Sequence, residues 1–174
     1  MVATDPRLRG LCPVCGFRAS TVAPMDAAVA LRSFPRRYRE RVVAIERLMD
    51  DGGELVGRGV RHVTDAADAL RGYEEYLRKI LQTDRPLLDR TSRSPMARRE
   101  EGVDASAALR RLEAVTGHFA DVVDEVPPGD WAREGVLHGE PMTALDVVRA
   151  AVHEGVHHLH AIDDLLEGAG ARVD

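Results

Sequence analysis

Apolar residues recur every three or four positions in four stretches of the chain, the spacing that gives a helix one buried face. The first predicted helix runs from about Pro35 to Met49, with Tyr38, Val42, Ile45 and Met49 as its stripe. Ser33 is placed to cap it, and Pro35 suits a first turn, where a missing N–H costs nothing. Asp50-Asp51-Gly52-Gly53 ends it. The second runs from about Leu55 to Leu81, its inner face reading His62, Ala66, Ala69, Tyr73, Leu77 and Ile80, with Gly57 and Gly59 weakening its first turns. The third runs from Asp104, an N-cap residue, to about Val123, with Leu109, Leu112, Phe119 and Val122 inward. The fourth starts at Thr143-Ala-Leu-Asp146, a variant capping box, and runs to about Leu166 before Gly168 and Gly170 stop it. Its core stripe is Leu145, Val148, Val152, Val156 and Leu159. No stretch alternates apolar and polar residues with period two, so no strand is expected.

The segments between these helices are uneven. Residues 1–25 read as a poorly structured arm, and residues 26–174 as one helical domain. A long polar connection, Thr83 to Val103, joins helices two and three. Pro127-Pro128-Gly129-Asp130-Trp131 and the His138-Gly139-Glu140-Pro141 turn join helices three and four. The expected fold is all-α: a four-helix bundle with longer connections and a short N-terminal arm that carries cysteines.

Composition narrows the function. A chain of 174 residues can build one domain with a real core. Aromatic residues are scarce at 4%, so Leu, Val, Ile and Ala must fill that core, which suits packed helices. The net charge of −5 argues against nucleic acid, because phosphate binding needs a concentrated positive field. Arg36, Arg37, Arg39 and Arg41 cluster, but acids are interleaved through most of the chain. No apolar run approaches the roughly 18 residues of a membrane span, and no signal-peptide pattern opens the chain. The cytoplasm is the expected location. Lysine is nearly absent (Lys79 alone), a bias that suggests a high-GC genome such as an actinobacterium's.

The candidate chemistry lies in the last helix. Four of the seven histidines fall within AVHEGVHHLHAID: His153, His157, His158 and His160. His153 and His157 are one helical turn apart, the spacing with which a helix presents two imidazoles to a metal. At about 100° per residue, His153, His157 and His160 fall within roughly 60° of one another, and His158 points away from them. His62, on the apolar face of helix two, is the best third ligand. Taken alone, such a histidine is more often a satisfied core residue, and the four on helix four could simply be surface histidines. Three neutral imidazoles would make an open metal site. Asp65, Glu154 and Asp163 are close enough in sequence to accept from ring N–H groups. The metal would be divalent, with Zn or Ni expected.

Cys12-Pro-Val-Cys15 is the other candidate: half a zinc site, a redox pair, or an idle turn. A zinc site here needs further ligands, such as His118 or His138 or a partner chain. Those two histidines otherwise read as ordinary surface residues. No βαβ pattern surrounds the motif, so a thioredoxin-like reading is not supported.

His62 within RHVTDAADAL, and the HEGVHHLHAID run, resemble the DinB-like family of bacterial metal-binding four-helix bundles. That family includes the mycothiol-dependent maleylpyruvate isomerases. Trp131 and the Thr143-Ala-Leu helix start are similar to the family as well. The Cys12-Pro-Val-Cys15-Gly-Phe17 arm followed by SFPRRYRE looks like an actinobacterial branch. The resemblance implies a metal triad of His62, His153 and His157, with His160 as a neighbour. It also implies an enzyme that activates a low-molecular-weight thiol, with mycothiol as cosubstrate, for S-transfer or isomerisation. Arg85, Arg90, Arg93, Arg98 and Arg99 could then hold a carboxylate or a sugar-linked thiol, or simply solvate a loop. The segment before His62 departs from the family, with Gly52-Gly53-Glu54-Leu55-Val56-Gly57-Arg58-Gly59 where aromatic residues are usual. The alternative is a non-catalytic metal-binding or scaffold module of a stress or biosynthetic pathway, with a homodimer through the outer helix faces as its expected assembly.

Overall fold

The computed structural model describes residues 10–48, 53–88 and 104–170. Four long helices carry the fold: α1 (Pro24–Leu48), α2 (Glu54–Gln82), α3 (Ala105–Asp124) and α4 (Ala144–Gly168). Met49, the Asp50-Asp51-Gly52 stop and Arg90, Arg93, Arg98 and Arg99 of the long connection lie outside the described residues. Arg85 is described and sits at a positive φ of 42° just beyond α2.

The helices close a four-helix bundle in which α1 and α2 each pack against both α3 and α4. Its core is aliphatic, built from residues such as Leu31, Ile45, Leu70, Leu77, Leu112, Leu159 and Ile162, with Phe34, Tyr38 and Phe119 as the large rings. This arrangement puts α2 and α4, the two histidine-bearing helices, side by side.

Two caps stand where their residue types predict them. The Asp104 side chain accepts from the Ser106 amide at the start of α3. At the start of α4, Thr143 and Asp146 form the reciprocal capping box.

Three expectations are corrected. First, α1 begins at Pro24, and Pro35 lies inside it. Pro24 takes the N-terminal role assigned to Pro35. Ser33 does not cap; its hydroxyl donates to the Ala30 carbonyl within the helix. The extra turns bury Ala27, Ala28, Leu31 and Phe34, and that burial outweighs one missing backbone hydrogen bond.

Second, the buried arc of α2 is wider than the expected stripe and rotated from it. Val60, Val63, Ala67 and Leu70 are buried, while His62, Ala69 and Tyr73 sit half-buried at its edge. A helix packed against two neighbours buries two stripes, and period alone cannot say where the second lies.

Third, a small antiparallel hairpin precedes α4: β1 (Glu134–Leu137) and β2 (Glu140–Thr143). Its two-residue turn, His138-Gly139, has φ of 52° and 85°, the left-handed pair that a tight hairpin turn needs. Leu88 pins the hairpin from outside, donating its amide to the Val136 carbonyl at 2.7 Å. Strands of four residues are too short for a period-two signal to register.

The contact between α1 and α4 is unusually close. An added Cβ at Gly155 would collide with the Phe34 ring. Beside it, the buried Tyr38 hydroxyl donates to the Gly155 carbonyl at 2.7 Å. Further along, Arg41 Nε lies 2.7 Å from Asp163 Oδ1, with both side chains largely buried. Arg41 also donates to the other Asp163 oxygen at 2.8 Å.

Gly155→Ala should therefore destabilise the bundle by about 1–3 kcal/mol through overpacking, read as a lower denaturant midpoint at unchanged m-value. Asp163→Ala should cost roughly 1–3 kcal/mol in the same assay, because it strands the Arg41 guanidinium in a largely dry site.

Candidate metal centre

The arm is folded where it is described. Cys12 donates its amide to the Phe17 carbonyl and Gly16 donates to the Cys12 carbonyl, both at 2.9 Å. Leu11 bridges Arg18 across the turn. Gly16 takes a positive φ of 67°, a conformation that suits a residue without a Cβ. Beyond the turn, Ala19 and Val22 are buried, and Arg149 on α4 donates to the Val22 carbonyl at 3.0 Å.

These bonds lay the turn against α4. One donor atom from each of Cys12, Cys15, His153 and His157 falls within 4.8 Å of the others. Cys12 Sγ is 4.0 Å from His157 Nδ1. Phe17 stacks on the buried His153 ring, with centroids 6.1 Å apart and planes 4° from parallel. The Cys12 thiol is pulled down to about 7 by hydrogen bonding to the Cys15 backbone amide, helped by Val14 and by the His157 ring. Burial pushes the Cys15 thiol up.

One residue further along α4, the surroundings change. His158 faces α2, and its Nδ1 lies 3.3 Å from Nδ1 of His62. Its other nitrogen, Nε2, is 3.7 Å from Glu154 Oε1, one turn earlier on the same face. His62 is held below the ordinary histidine range by burial and then by the neighbouring His158. The neighbouring His158 ring holds the Glu154 carboxyl down against the opposing effect of burial. Both shifts favour the forms that bind metals, a neutral imidazole and a carboxylate. The spacing fits as well. Two nitrogens on one tetrahedral ion, each about 2.0–2.1 Å from it, stand about 3.3 Å apart.

The structure thus divides the triad expected from sequence. His153 and His157 meet the cysteines of the arm, whereas His62 meets His158. His158 points away from the His153/His157 cluster, as the helical wheel expects, and the side it faces is occupied by α2 and His62. His160, the expected neighbour, stands outside the Cys12/Cys15/His153/His157 cluster, and its side chain is more than a third exposed. Burial opposes its protonation, but hydrogen bonding to backbone oxygens (Val14 among them) and the nearby Asp164 raise its pKa. Its Nδ1 is 3.2 Å from Asp164 Oδ1.

The other sequence candidates separate in the same way. Glu154 stands beside His158, Asp163 is taken by Arg41, and Asp65 is exposed and reaches His62 only as a nearby charge. Neither His118 nor His138 completes the cysteine pair. His118 Nδ1 sits 2.9 Å from the buried Glu74, which also accepts from Arg78, and His138 forms the hairpin turn. Sequence reasoning did not anticipate the approach of His158 to His62. A visible signal existed in the Glu154/His158 pair, which has the same four-residue spacing as His153/His157.

Among the described residues, no helix is long and apolar enough to cross a membrane. No curated protein matches the chain. Among solved structures it is similar to YfiT from Bacillus subtilis, described as a probable metal-dependent hydrolase with an unusual four-helix bundle topology. The two share 17% identity with a TM-score of 0.70, over 87% of this chain and 91% of that one, a likeness of fold. The family model of the DinB superfamily matches residues 37–162, from the middle of α1 nearly to the end of α4, and the chain belongs to that superfamily.

Proposed function

We propose that the chain is a metal-dependent enzyme in which His62 and His158 hold a divalent ion, Zn or Ni, beside open positions for a small thiol. The observation that carries this reading is the 3.3 Å approach of the His62 and His158 nitrogens from two different helices. Glu154 lies 3.7 Å from the other nitrogen of His158, where its carboxylate would fix the orientation and tautomer of that ring. Two imidazoles leave a tetrahedral ion places for incoming groups. A divalent ion there would lower the pKa of a bound thiol and present it as the thiolate, the competent nucleophile.

The thiol reading rests on the resemblance to the mycothiol-dependent isomerases; the description of YfiT as a probable hydrolase favours water at the same position. A second reading, a non-catalytic metal module, is favoured by the cluster of Cys12, Cys15, His153 and His157, because four protein ligands close a site.

Cobalt distinguishes these readings if the arm thiols are removed first. Cys12→Ser/Cys15→Ser protein loaded with Co(II) should bind about one equivalent. Added mycothiol or glutathione should then produce a sulfur-to-cobalt absorption band. His62→Ala or His158→Ala should weaken cobalt binding by more than about 100-fold, and Glu154→Gln by about 10–100-fold. Cobalt without a thiol band, together with ester cleavage, would transfer the reading to hydrolysis. A double serine variant that stays folded and takes up no cobalt would overturn the open site.

A further inference from the structure

Four soft and borderline donors meet where the arm lies against α4. We infer that Cys12, Cys15, His153 and His157 form a closed zinc site that fastens the N-terminal arm to α4. It is separate from the open site proposed above and does not depend on it.

The donor set is that of structural zinc, two thiolates and two neutral imidazoles with no position left for water. The geometry is nearly assembled. Tetrahedral zinc with Zn–S of about 2.3 Å and Zn–N of about 2.0 Å places its donors about 3.3–3.8 Å apart. The four atoms already lie within 4.8 Å, so closure requires a movement of only about 1 Å. The turn bonds at Cys12 and Gly16 aim both sulfurs at the helix. Phe17 holds the His153 ring flat beneath the turn. One zinc ligand pair belongs to the turn and the other to one face of a helix, so neither half closes the site alone.

The arm also has a need that zinc meets. Leu11 and Val14 are 58% exposed, so the turn itself buries little apolar surface. Short segments with so small a core are ordinarily held by a metal or a disulfide, and metal binding energy then becomes folding energy. Arg18, at the exposed end of the turn, would be protected from protease only while the turn is fastened.

The test is made on full-length protein purified without a histidine tag and kept reduced. Zinc is measured per chain in the wild type, in Cys12→Ser/Cys15→Ser and in His62→Ala/His158→Ala. The His62→Ala/His158→Ala variant should retain one equivalent. Exchanged with Co(II), it should show sulfur-to-cobalt absorption without any added thiol. The double serine variant should lack that equivalent. In wild type, stripping zinc with a chelator should speed tryptic cleavage after Arg18 by at least about 10-fold, and readdition should restore protection. Loss of all zinc from the His62→Ala/His158→Ala variant would overturn the inference, as would cobalt spectra without sulfur character. Cleavage after Arg18 at equal rates with and without zinc would overturn the fastening role. Failure of the open site instead appears as a wild type with a single, cysteine-dependent equivalent.

Discussion

The azimuth of α4 about its own axis decides where every candidate ligand points. Successive residues on a helix are about 100° apart, so a small rotation of α4 would exchange the surroundings of His157 and His158. That azimuth is fixed by one close contact. The Phe34 ring occupies the space a side chain at 155 would need, and Tyr38 bonds to the carbonyl of the same residue. Only glycine at 155 lets α1 approach so near. With α4 pinned from the α1 side, His153 and His157 meet the arm and His158 meets α2.

Local chemistry was legible from sequence wherever it is local in space. Asp104 and the Thr143/Asp146 box mark helix starts because their partners lie two or three residues away. The bundle itself was legible because four helical periods with few aromatics leave few other solutions. Pro35 misled because a proline inside a helix and one at its start look alike in sequence; burial of Ala27, Ala28, Leu31 and Phe34 decides between them.

The site was legible only in part, for a related reason. The spacing of His153 and His157 correctly states that two imidazoles share a face, but not which element that face meets. Sequence spacing does not bring the arm to α4, so it offers His62 as the best third ligand, whereas the structure sets the arm's cysteines beside His153 and His157 and His62 beside His158. Glu154 and His158 have the same spacing, yet carboxylates four residues from a histidine are common on helix surfaces. Only the approach of His62 across the α2–α4 interface singles this pair out.

The two proposed metal sites differ in chemistry as well as place. Thiolates suit a closed, water-free zinc site, while a pair of imidazoles suits an ion that must keep exchangeable positions. They are joined by a single peptide bond, between His157 and His158. A zinc ion on His153 and His157 would hold that turn of α4 in one conformation, from the side of the arm. Such rigidity lowers the entropy lost when His158 and His62 close on a second ion. On this reading the cysteine arm braces the binding turn from behind, contributing no atom to the open position while fixing the backbone on which that position depends.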